Sequence, residues 1–526
     1  MKVIKIDIDK TKKGTPLNHY WSNCVGAGRA NEGLRADWQQ HLNQVVEACG
    51  FRYIRFHGLF HEDMFVYSEK NDTEVFNYQY VDSLFDALLK AGIRPFVEFG
   101  FTPKAMASGT KVQFWWQGNV TPPKDFTKWQ RLIQRSVKHW VDRYGIEEVT
   151  KWYFEVWNEP NLGAFWAGTK SQYFKLYEVT AQAVKSVDQR LKIGGPATSN
   201  FVPDDRFNFE NERKDMHTTF LAKDIDALEW RGVWIEDFLA YCEDHALPVD
   251  FISCHPYPTD FAFDQSGHMK GGTRTQKSLY NDLTWLNKVV DVSGFKDLEI
   301  HLTEWSSSPS SRDCSHDHMP AAVYVLKSIV DCIGLVDSLA YWTFTDVFEE
   351  VAAGPAAFHG GFGMVNTQGI VKPVFHSYRL LNTLGDHLLD RSDTSIVTTN
   401  QESGKISLLA YNYPELHKSA IPIAAYPNRT IAKESEDQGE AFQVQVEIEG
   451  TEAGKAYLVE VLDLDHGSVI KAWQEIGSPQ FLSIEEEAAL KTYALTTDCK
   501  VVRAEDKHLS IKVKAGKWGV VAIREL

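Results

Sequence analysis

Lys151-Trp152-Tyr153-Phe154-Glu155-Val156-Trp157-Asn158-Glu159-Pro160-Asn161-Leu162 is the stretch whose reading decides the fold. Its first half is aromatic and β-branched, as a buried strand requires. It stops at Asn-Glu-Pro-Asn, because proline lacks the backbone donor that a ladder needs. The stretch therefore predicts a carboxylic acid, Glu159, at the C-terminal mouth of a strand, beside an amide, Asn158, that can donate hydrogen bonds. Taken alone, the same residues suit a strand end capped by turn formers, with Glu159 solvated, equally well. A second stretch repeats the design. Leu298-Glu299-Ile300-His301-Leu302-Thr303-Glu304-Trp305 is an apolar strand that ends in a glutamate and runs into a Ser/Pro-rich loop. Two strand-end glutamates on one parallel barrel are the minimum equipment for glycoside hydrolysis.

Working outward, strands and helices alternate. Strands are predicted at Asn23–Gly26, Phe51–His57, Ile93–Gly100, Trp152–Glu159, Leu191–Pro196, Val249–His255, Leu298–Trp305 and Ser338–Phe344. Helices fall between them at Asp37–Cys49, Tyr80–Ala91, Phe126–Tyr144, Ser171–Asp188, Trp234–His245, Lys277–Val292 and Ala321–Ile333. Gly50, Gly92 and Gly145 sit just past three of these helices, where a C-cap favours a left-handed residue. Such alternation over roughly 330 residues predicts an α/β protein built on a (β/α)8 TIM barrel. A doubly wound open sheet would need a Gly-rich phosphate loop after its first strand, and none is present.

After residue 350 the pattern turns to short alternating runs, Lys405–Asn412, Ala441–Ile448, Ala456–Asp463 and His508–Ile523, as in a β-sandwich. Ser483–Leu495 reads as a short helix within it, and Val374–Leu389 as a helix joining barrel to sandwich. The expected domains are therefore 1–12, an alternating strand that joins the sandwich, 13–350, the barrel, and 351–526, the sandwich. Residues 201–230, highly charged, form an insertion after the fifth strand. They are either a surface excursion or a lid, since loops after barrel strands lie on the catalytic face.

The chain has 526 residues, too many for one core, with 43% hydrophobic and 24% charged residues, as soluble globular proteins have. A net charge of −16 offers no dense basic face, which argues against nucleic acid as a partner. Aromatic residues make up 13% of the chain, including 16 tryptophans, a surplus suited to stacking on sugar rings. No apolar run reaches the roughly 18 residues of a membrane helix, and the N-terminus shows no signal-peptide pattern, so a cytoplasmic location and no membrane partner are expected. Seven cysteines without a CxxC pair suggest reduced thiols. The sequence leaves open whether the chain forms a homo-oligomer.

Retaining hydrolysis needs an acid/base carboxyl and a nucleophilic carboxylate about 5–5.5 Å apart. Glu159 and Glu304 end strands four and seven, which lie across the lumen from each other in an eight-stranded barrel. At these residues the chain resembles glycoside hydrolase family 39, the β-xylosidases, in Phe154-Glu155-Val156-Trp157-Asn158-Glu159-Pro160-Asn161-Leu162 and Leu302-Thr303-Glu304-Trp305. The resemblance continues through Tyr53-Ile54-Arg55-Phe56-His57-Gly58-Leu59, Phe114-Trp115-Trp116-Gln117-Gly118-Asn119-Val120-Thr121-Pro122-Pro123 and Tyr341-Trp342-Thr343-Phe344-Thr345-Asp346-Val347-Phe348-Glu349-Glu350. It covers nearly the whole chain. It implies a barrel, a sandwich that includes the N-terminal strand, and retaining release of xylose from the non-reducing end of short xylo-oligosaccharides. It further implies acid/base Glu159, nucleophile Glu304, sugar contacts from His57, Asn158, His255, Tyr257 and Glu350, and a pocket lined by Phe114 and Trp342. There are two departures. Phe56 stands where the family's xylosidases carry a small residue, and the insertion is unusually long. Both are expected to touch the substrate face.

The residues can be read without the family. His57 follows the second strand and can donate to sugar hydroxyls, although a lone histidine is more often a satisfied core residue. The Tyr257 of His255-Pro256-Tyr257-Pro258 can hydrogen-bond the nucleophile, or the segment is a rigid proline-flanked turn. Glu349-Glu350 is a solvated acidic pair, or one of its members holds sugar hydroxyls. His316-Asp317-His318 has a spacing that suits no common metal site, and HExxH is absent, so neither metal nor cofactor is expected. Two other classes compete. One is a family member with another sugar, such as an α-L-iduronidase-like enzyme using Arg206, Arg231 or Lys270 for a uronate. The other is a non-catalytic carbohydrate-binding protein, which would have lost one of the two carboxylates.

Overall fold

The computed structural model describes residues 1–71, 73–203, 229–263, 269–274, 276–295, 297–414 and 429–526. Eight parallel strands close into a barrel. They are β1 Cys24–Arg29, β2 Tyr53–His57, β3 Arg94–Phe99 and β4 Tyr153–Val156. The other four are β5 Lys192–Ser199, β6 Phe251–His255, β7 Glu299–Trp305 and β8 Ser338–Tyr341. Tyr341 of β8 pairs with Val25 of β1 and shuts the ring. Side chains alternate along each strand. Val25, Ile54, Phe56, Val97, Phe99, Phe154 and Val156 therefore join the core shared with the helices. Cys24, Tyr53, Phe96, Tyr153, Phe251 and Ala340 plug the lumen. Phe96 stacks on Tyr153 at 4.9 Å between ring centres, and His301 meets Tyr153 edge-on at 4.8 Å. This aromatic layer is the barrel's floor, so reactive groups sit above it, at the C-terminal ends of the strands.

The outer helices are α1 Ala36–Cys49, α2 Gln79–Lys90, α3 Phe126–Tyr144 and α4 Lys170–Val187. They continue as α5 Ile235–Asp244, α6 Ser278–Val292 and α7 Met319–Asp331. α3 shows why these segments form helices. The Asp125 carboxylate accepts from the N–H groups of Thr127 and Lys128 at its start. Its inner face buries Trp129, Leu132, Ile133, Val137 and Trp140. Burying each such side chain contributes about 1.5–3 kcal/mol. Gly50, with φ 75° and ψ 23°, is the left-handed cap its position predicts, whereas Gly145, with φ 83° and ψ 146°, has positive φ in an extended turn of the chain; Gly92 also has positive φ, 81°.

Several sequence expectations need correction. The segment Val374–Leu389 is not one helix. It is α8, Pro373–Leu381, followed by a strand, His387–Ser392. α8 is no linker, because it packs with the core of the barrel, its Ser377 hydroxyl donating to Ala322 O of α7 at 2.9 Å. It is the eighth outer helix, so barrel elements run on past residue 350. Phe56 does not face the substrate. Arg55 and His57 point into the lumen, so the residue between them must point to the helices. His508–Ile523 is two strands, His508–Ala515 and Val520–Glu525.

Two further sheets, of three and of seven strands, build the sandwich. Lys2–Asp9 pairs in parallel with Phe442–Glu449, which pairs antiparallel with His508–Ala515. This three-stranded sheet faces a seven-stranded one. Ile4, Ile6 and Ile8 share a core with Val444, Val446, Leu408, Val459 and Ile523. The N-terminal segment contributes further than residue 12, because Thr15–Pro16 pairs with His387–Leu388 in the larger sheet. Of the insertion, the ends form a two-residue antiparallel stem, Phe201–Val202 against Arg231–Gly232. Its body, 204–228, lies outside the described residues.

Candidate active site

β4 ends at Val156, and the chain turns sharply to carry Glu159 over the lumen. Trp157 and Glu159 have φ of 73° and 45°. Left-handed backbone at a bulky residue costs roughly 1–3 kcal/mol, so the turn must be held by its surroundings. The Tyr173 hydroxyl lies 3.0 Å from both Val156 O and Pro196 O and shares its one hydrogen between them. Glu159 N–H reaches Ala197 O at 2.9 Å. The Asn161 side chain ties the turn to β5, donating to Ser199 O at 2.8 Å and accepting from Ser199 N–H at 2.9 Å. These contacts explain the run Asn158-Glu159-Pro160-Asn161, in which the last asparagine is structural and the glutamate is presented.

β7 delivers Glu304 by another device. Its pairing with β8 slips between Leu302 and Trp305. A slip of this kind re-aims side chains, and here the consecutive residues Thr303 and Glu304 both reach inward. Glu304 Oε1 accepts from Arg55 Nη1 at 2.5 Å, and Oε2 accepts from the Tyr257 hydroxyl at 3.2 Å. His57 Nε2 stands 3.5 Å from Oε1. Both glutamates are buried, Glu159 at 6% and Glu304 at 5% exposure.

Arg55 is the hub. Its guanidinium also donates to Glu155 Oε2 at 2.9 Å and to Asn158 Oδ1 at 2.9 Å, and it lies 2.9 Å from Glu98 Oε2. Burial opposes its charge, but Glu155, Glu98 and Glu304 outweigh burial and raise its pKa. Glu98 also binds His57 Nδ1 at 2.6 Å. Burial would raise the Glu98 carboxyl, yet His57 and Arg55 hold it below its ordinary value. Buried charges persist when they are paired in this way. Asn158 spends its oxygen on Arg55, so its amide hydrogens remain as donors toward the lumen.

Glu159 behaves differently. Burial pushes its carboxyl up to about 7, against the lowering effects of the Ser199 hydroxyl, His57 and Arg55. Its Oε1 lies 3.0 Å from His255 Nδ1. Burial lowers the His255 imidazole to about 4. The site thus sets a carboxyl that burial raises into the working range of an acid/base group beside a second carboxyl gripped by a guanidinium.

An aromatic wall lines one side. His57 packs on Phe114 at 5.7 Å and on Trp342 at 4.9 Å. Trp116 stacks on Phe114 at 5.3 Å and on Phe101 at 5.7 Å. Trp342 needs Gly26 beneath it, since a Cβ there would lie 2.5 Å from the indole. The loop carrying Phe114 is tied to the loop after β8 by Trp115 N–H donating to Glu350 O at 2.8 Å. The acidic pair divides. Glu349 binds Arg29 at 2.8 Å and Arg35 at 3.3 Å. Glu350 faces the site, and burial, Glu304 and Glu159 push its carboxyl well above its ordinary range.

The structure therefore brings together all nine residues singled out in the sequence: His57, Phe114, Asn158, Glu159, His255, Tyr257, Glu304, Trp342 and Glu350. Sequence reasoning assigned nothing to Arg55, Glu98, Glu155 and Thr303. The signal of the first three was charge at mid-strand, in phase with inward neighbours, where an unpaired charge could not survive burial; neutral Thr303 carried no such signal. His316, Asp317 and His318 do not converge: His316 meets Gly360 O, Asp317 meets Lys372, and His318 meets Glu436. Among the described residues, Glu159, His255 and Glu304 each offer one ligand-type atom within 4.8 Å of the others. Those groups are already committed to one another, to Arg55 and to Tyr257, which favours an acid pair over a cation site. Of the basic residues considered for a uronate, Arg231 pairs with Glu229 at 3.1 Å, while Arg206 and the side chain of Lys270 lie outside the described residues.

The model of Glycosyl hydrolases family 39 matches residues 4–219 and 227–503. The chain belongs to that family. Among family 39 relatives, it is 35% identical to a β-xylosidase of Geobacillus stearothermophilus over all of this chain and 96% of that one. It is 34% identical to a β-xylosidase of Caldicellulosiruptor saccharolyticus over all of this chain and 95% of that one. The crystal structure of the GH39 enzyme from Xanthomonas axonopodis pv. citri superposes with a TM-score of 0.84 at 30% identity, covering 100% of this chain and 98% of that chain. The protein is thus a glycoside hydrolase, and this buried carboxylate cluster lies at the strand ends where barrel enzymes keep their chemistry.

Proposed function

We propose that this family 39 enzyme is a retaining exo-glycosidase that removes xylose from the non-reducing end of short β-1,4-xylo-oligosaccharides. The observation that carries the proposal is the approach of a Glu159 oxygen and a Glu304 oxygen to within 4.8 Å. So close an approach of single oxygens is in keeping with the roughly 5–5.5 Å between the carboxyl groups of a retaining pair, whereas an inverting pair stands roughly 6.5–9.5 Å apart to hold a water. In the first step Glu304 attacks the anomeric carbon while Glu159 gives its proton to the departing oxygen. In the second, ionised Glu159 takes a proton from water, which attacks the same carbon and frees Glu304. Arg55 and Tyr257 fix the carboxylate oxygens of Glu304. Asn158 donates to the 2-hydroxyl, where a contact strengthens in the transition state. His57 and Glu350 serve the sugar-binding face, with Phe114 and Trp342 as walls, while His255, expected from the sequence to touch the sugar, has both ring nitrogens held by Glu159 and Thr303 and acts through Glu159 instead.

Xylose as the sugar draws support from the β-xylosidases that the chain resembles along its whole length. Exo action draws support from the aromatic loop around Phe114 and its bond to the loop after β8. A cytoplasmic location draws support from seven free cysteines, six of them buried. The test is proton NMR of phenyl β-xyloside hydrolysis. β-Xylose should appear first and mutarotate later. α-Xylose as the first product would overturn the mechanism.

A further inference from the structure

Thr303 stands one residue before Glu304 and shares its inward turn. A hydroxyl has one hydrogen to give. Thr303 gives it to Glu155 Oε1 at 2.7 Å. Glu155 is an acceptor on its other oxygen too, where Arg55 Nε donates at 2.9 Å. The Thr303 oxygen also lies 3.0 Å from His255 Nε2. With its own hydrogen spent, Thr303 accepts in that contact, so Nε2 carries a hydrogen. Burial keeps the His255 ring neutral above about pH 4. A neutral imidazole carries a single N–H, which leaves Nδ1 bare. Nδ1 is the atom 3.0 Å from Glu159 Oε1. A bare nitrogen and a carboxylate oxygen repel at that distance, whereas a protonated Glu159 donates across it.

We propose that Thr303, backed by Glu155, is a positioning residue that fixes the Nε2–H tautomer of His255 and thereby keeps the proton on Glu159. The inference rests on Glu159 being the acid/base group. The relay runs from Arg55 through Glu155, Thr303 and His255 to Glu159, while the same Arg55 clamps Glu304. One buried chain thus reaches both carboxyl groups, through His255 to Glu159 and through the Arg55 guanidinium to Glu304. When Glu159 has given its proton to the leaving group, its carboxylate faces a bare nitrogen and readily reclaims a proton from the attacking water.

Other groups face the same atoms, and a change at Thr303 leaves all of them in place. Toward Glu159 these are Ser199 from β5, His57 and Arg55 from β2, and Glu98 from β3. The Tyr257 hydroxyl and Glu350 also lie within its field. Toward His255 they are Glu304, Arg55, Glu155 and His57.

The experiment is the pH profile of kcat/KM for phenyl β-xyloside, a substrate whose leaving group needs acid assistance. In Thr303→Val the ring of His255 can carry its hydrogen on Nδ1 and donate to ionised Glu159. The basic limb should then move about one pH unit toward acid, a tenfold loss of protonated Glu159 at the alkaline end. Thr303→Ser should keep the wild-type limb. A Thr303→Val limb that stays in place overturns the proposal. Wild-type enzyme supplies a second measurement that needs no folded valine variant. In its 15N-histidine NMR spectrum, the ring removed by His255→Asn should show a protonated Nε2 and a bare Nδ1; the opposite pattern also overturns the proposal. Failure of the acid/base reading itself is separate: Glu159→Ala would then keep the basic limb and its full rate on phenyl β-xyloside.

Discussion

Arg55 Nη1 and Glu304 Oε1 lie 2.5 Å apart, with the guanidinium fully buried and held by three further side chains. A planar five-donor group can satisfy Glu304, Glu155, Glu98 and Asn158 at once, and a lysine ammonium cannot. Arg55→Lys is therefore expected to lower kcat by about 10²–10³-fold, the usual loss when a preorganised donor is removed. Arg55→Ala should also destabilise the fold by about 3–5 kcal/mol, because it strands buried carboxylates. Steady-state kinetics and urea melts check both. A lysine variant with unchanged kcat would remove Arg55 from the mechanism.

The two glutamates should fail in different ways. Glu304→Gly is expected to lose glycosylation, with azide or formate restoring turnover from the vacated space. Glu159→Ala should keep its first step on dinitrophenyl xyloside, whose leaving group needs little protonation, and should lose it on phenyl xyloside. Rates measured on the two aryl glycosides, with and without azide, decide the assignment. Exchanged rescue patterns would exchange the roles.

Stability should carry the signature of the raised Glu159 carboxyl. Its folded pKa is pushed from 4.5 to about 7 by burial. An unfolded chain ionises it at lower pH, so the folded state loses stability as pH rises from about 4.5 to about 7, and the deficit stays constant above that. Glu159→Gln removes the titration and keeps a donor for His255 Nδ1. Its stability advantage over wild type should be small at pH 4.5 and reach about 3 kcal/mol at pH 8. Thermal melts at the two pH values check this. An advantage that does not grow with pH would place the Glu159 pKa near its ordinary value.

The frame of the molecule was legible because its signals are local. Apolar runs that break at proline, and glycines one residue past helices, mark strands and caps wherever they occur. Glu159 and Glu304 were legible for the same reason, since each closes such a run. Arg55, Glu98, Glu155 and Thr303 were not singled out, because their importance lies in one another and their spacing is across the barrel, not along the chain. Phe56 misled for a simpler reason: its motif neighbours face the lumen, and strand alternation turns it away. The helix after β8 was drawn too long because Leu384 and Leu388 continue its apolar spacing into what becomes a strand.

Substrate length is checked on xylotetraose. The wall formed by Phe114, Trp116 and Trp342 and the tie between Trp115 and Glu350 favour a pocket closed beyond one sugar. Xylose and xylotriose should be the first products, detected by anion-exchange chromatography. Early xylobiose without xylose would mean an open cleft. Phe114→Ala, which opens the wall, should raise KM several-fold through lost stacking area and leave the anomeric outcome unchanged.

The strand Lys2–Asp9 has a consequence for how the chain is made. It is synthesised before any part of the barrel, yet its hydrogen-bonding partner, Phe442–Glu449, emerges after all of the barrel. Lys10, at its end, is held by Glu525, 515 positions away. Until then Ile4, Ile6 and Ile8 form an unpaired, alternating strand on a nascent chain whose barrel can already fold. Such an edge invites pairing with a neighbouring chain. The charged residues between the isoleucines, Lys5 and Asp7, are exposed in the finished protein. Charges at such positions are what sequences use to oppose edge-to-edge pairing of a strand that has no partner yet.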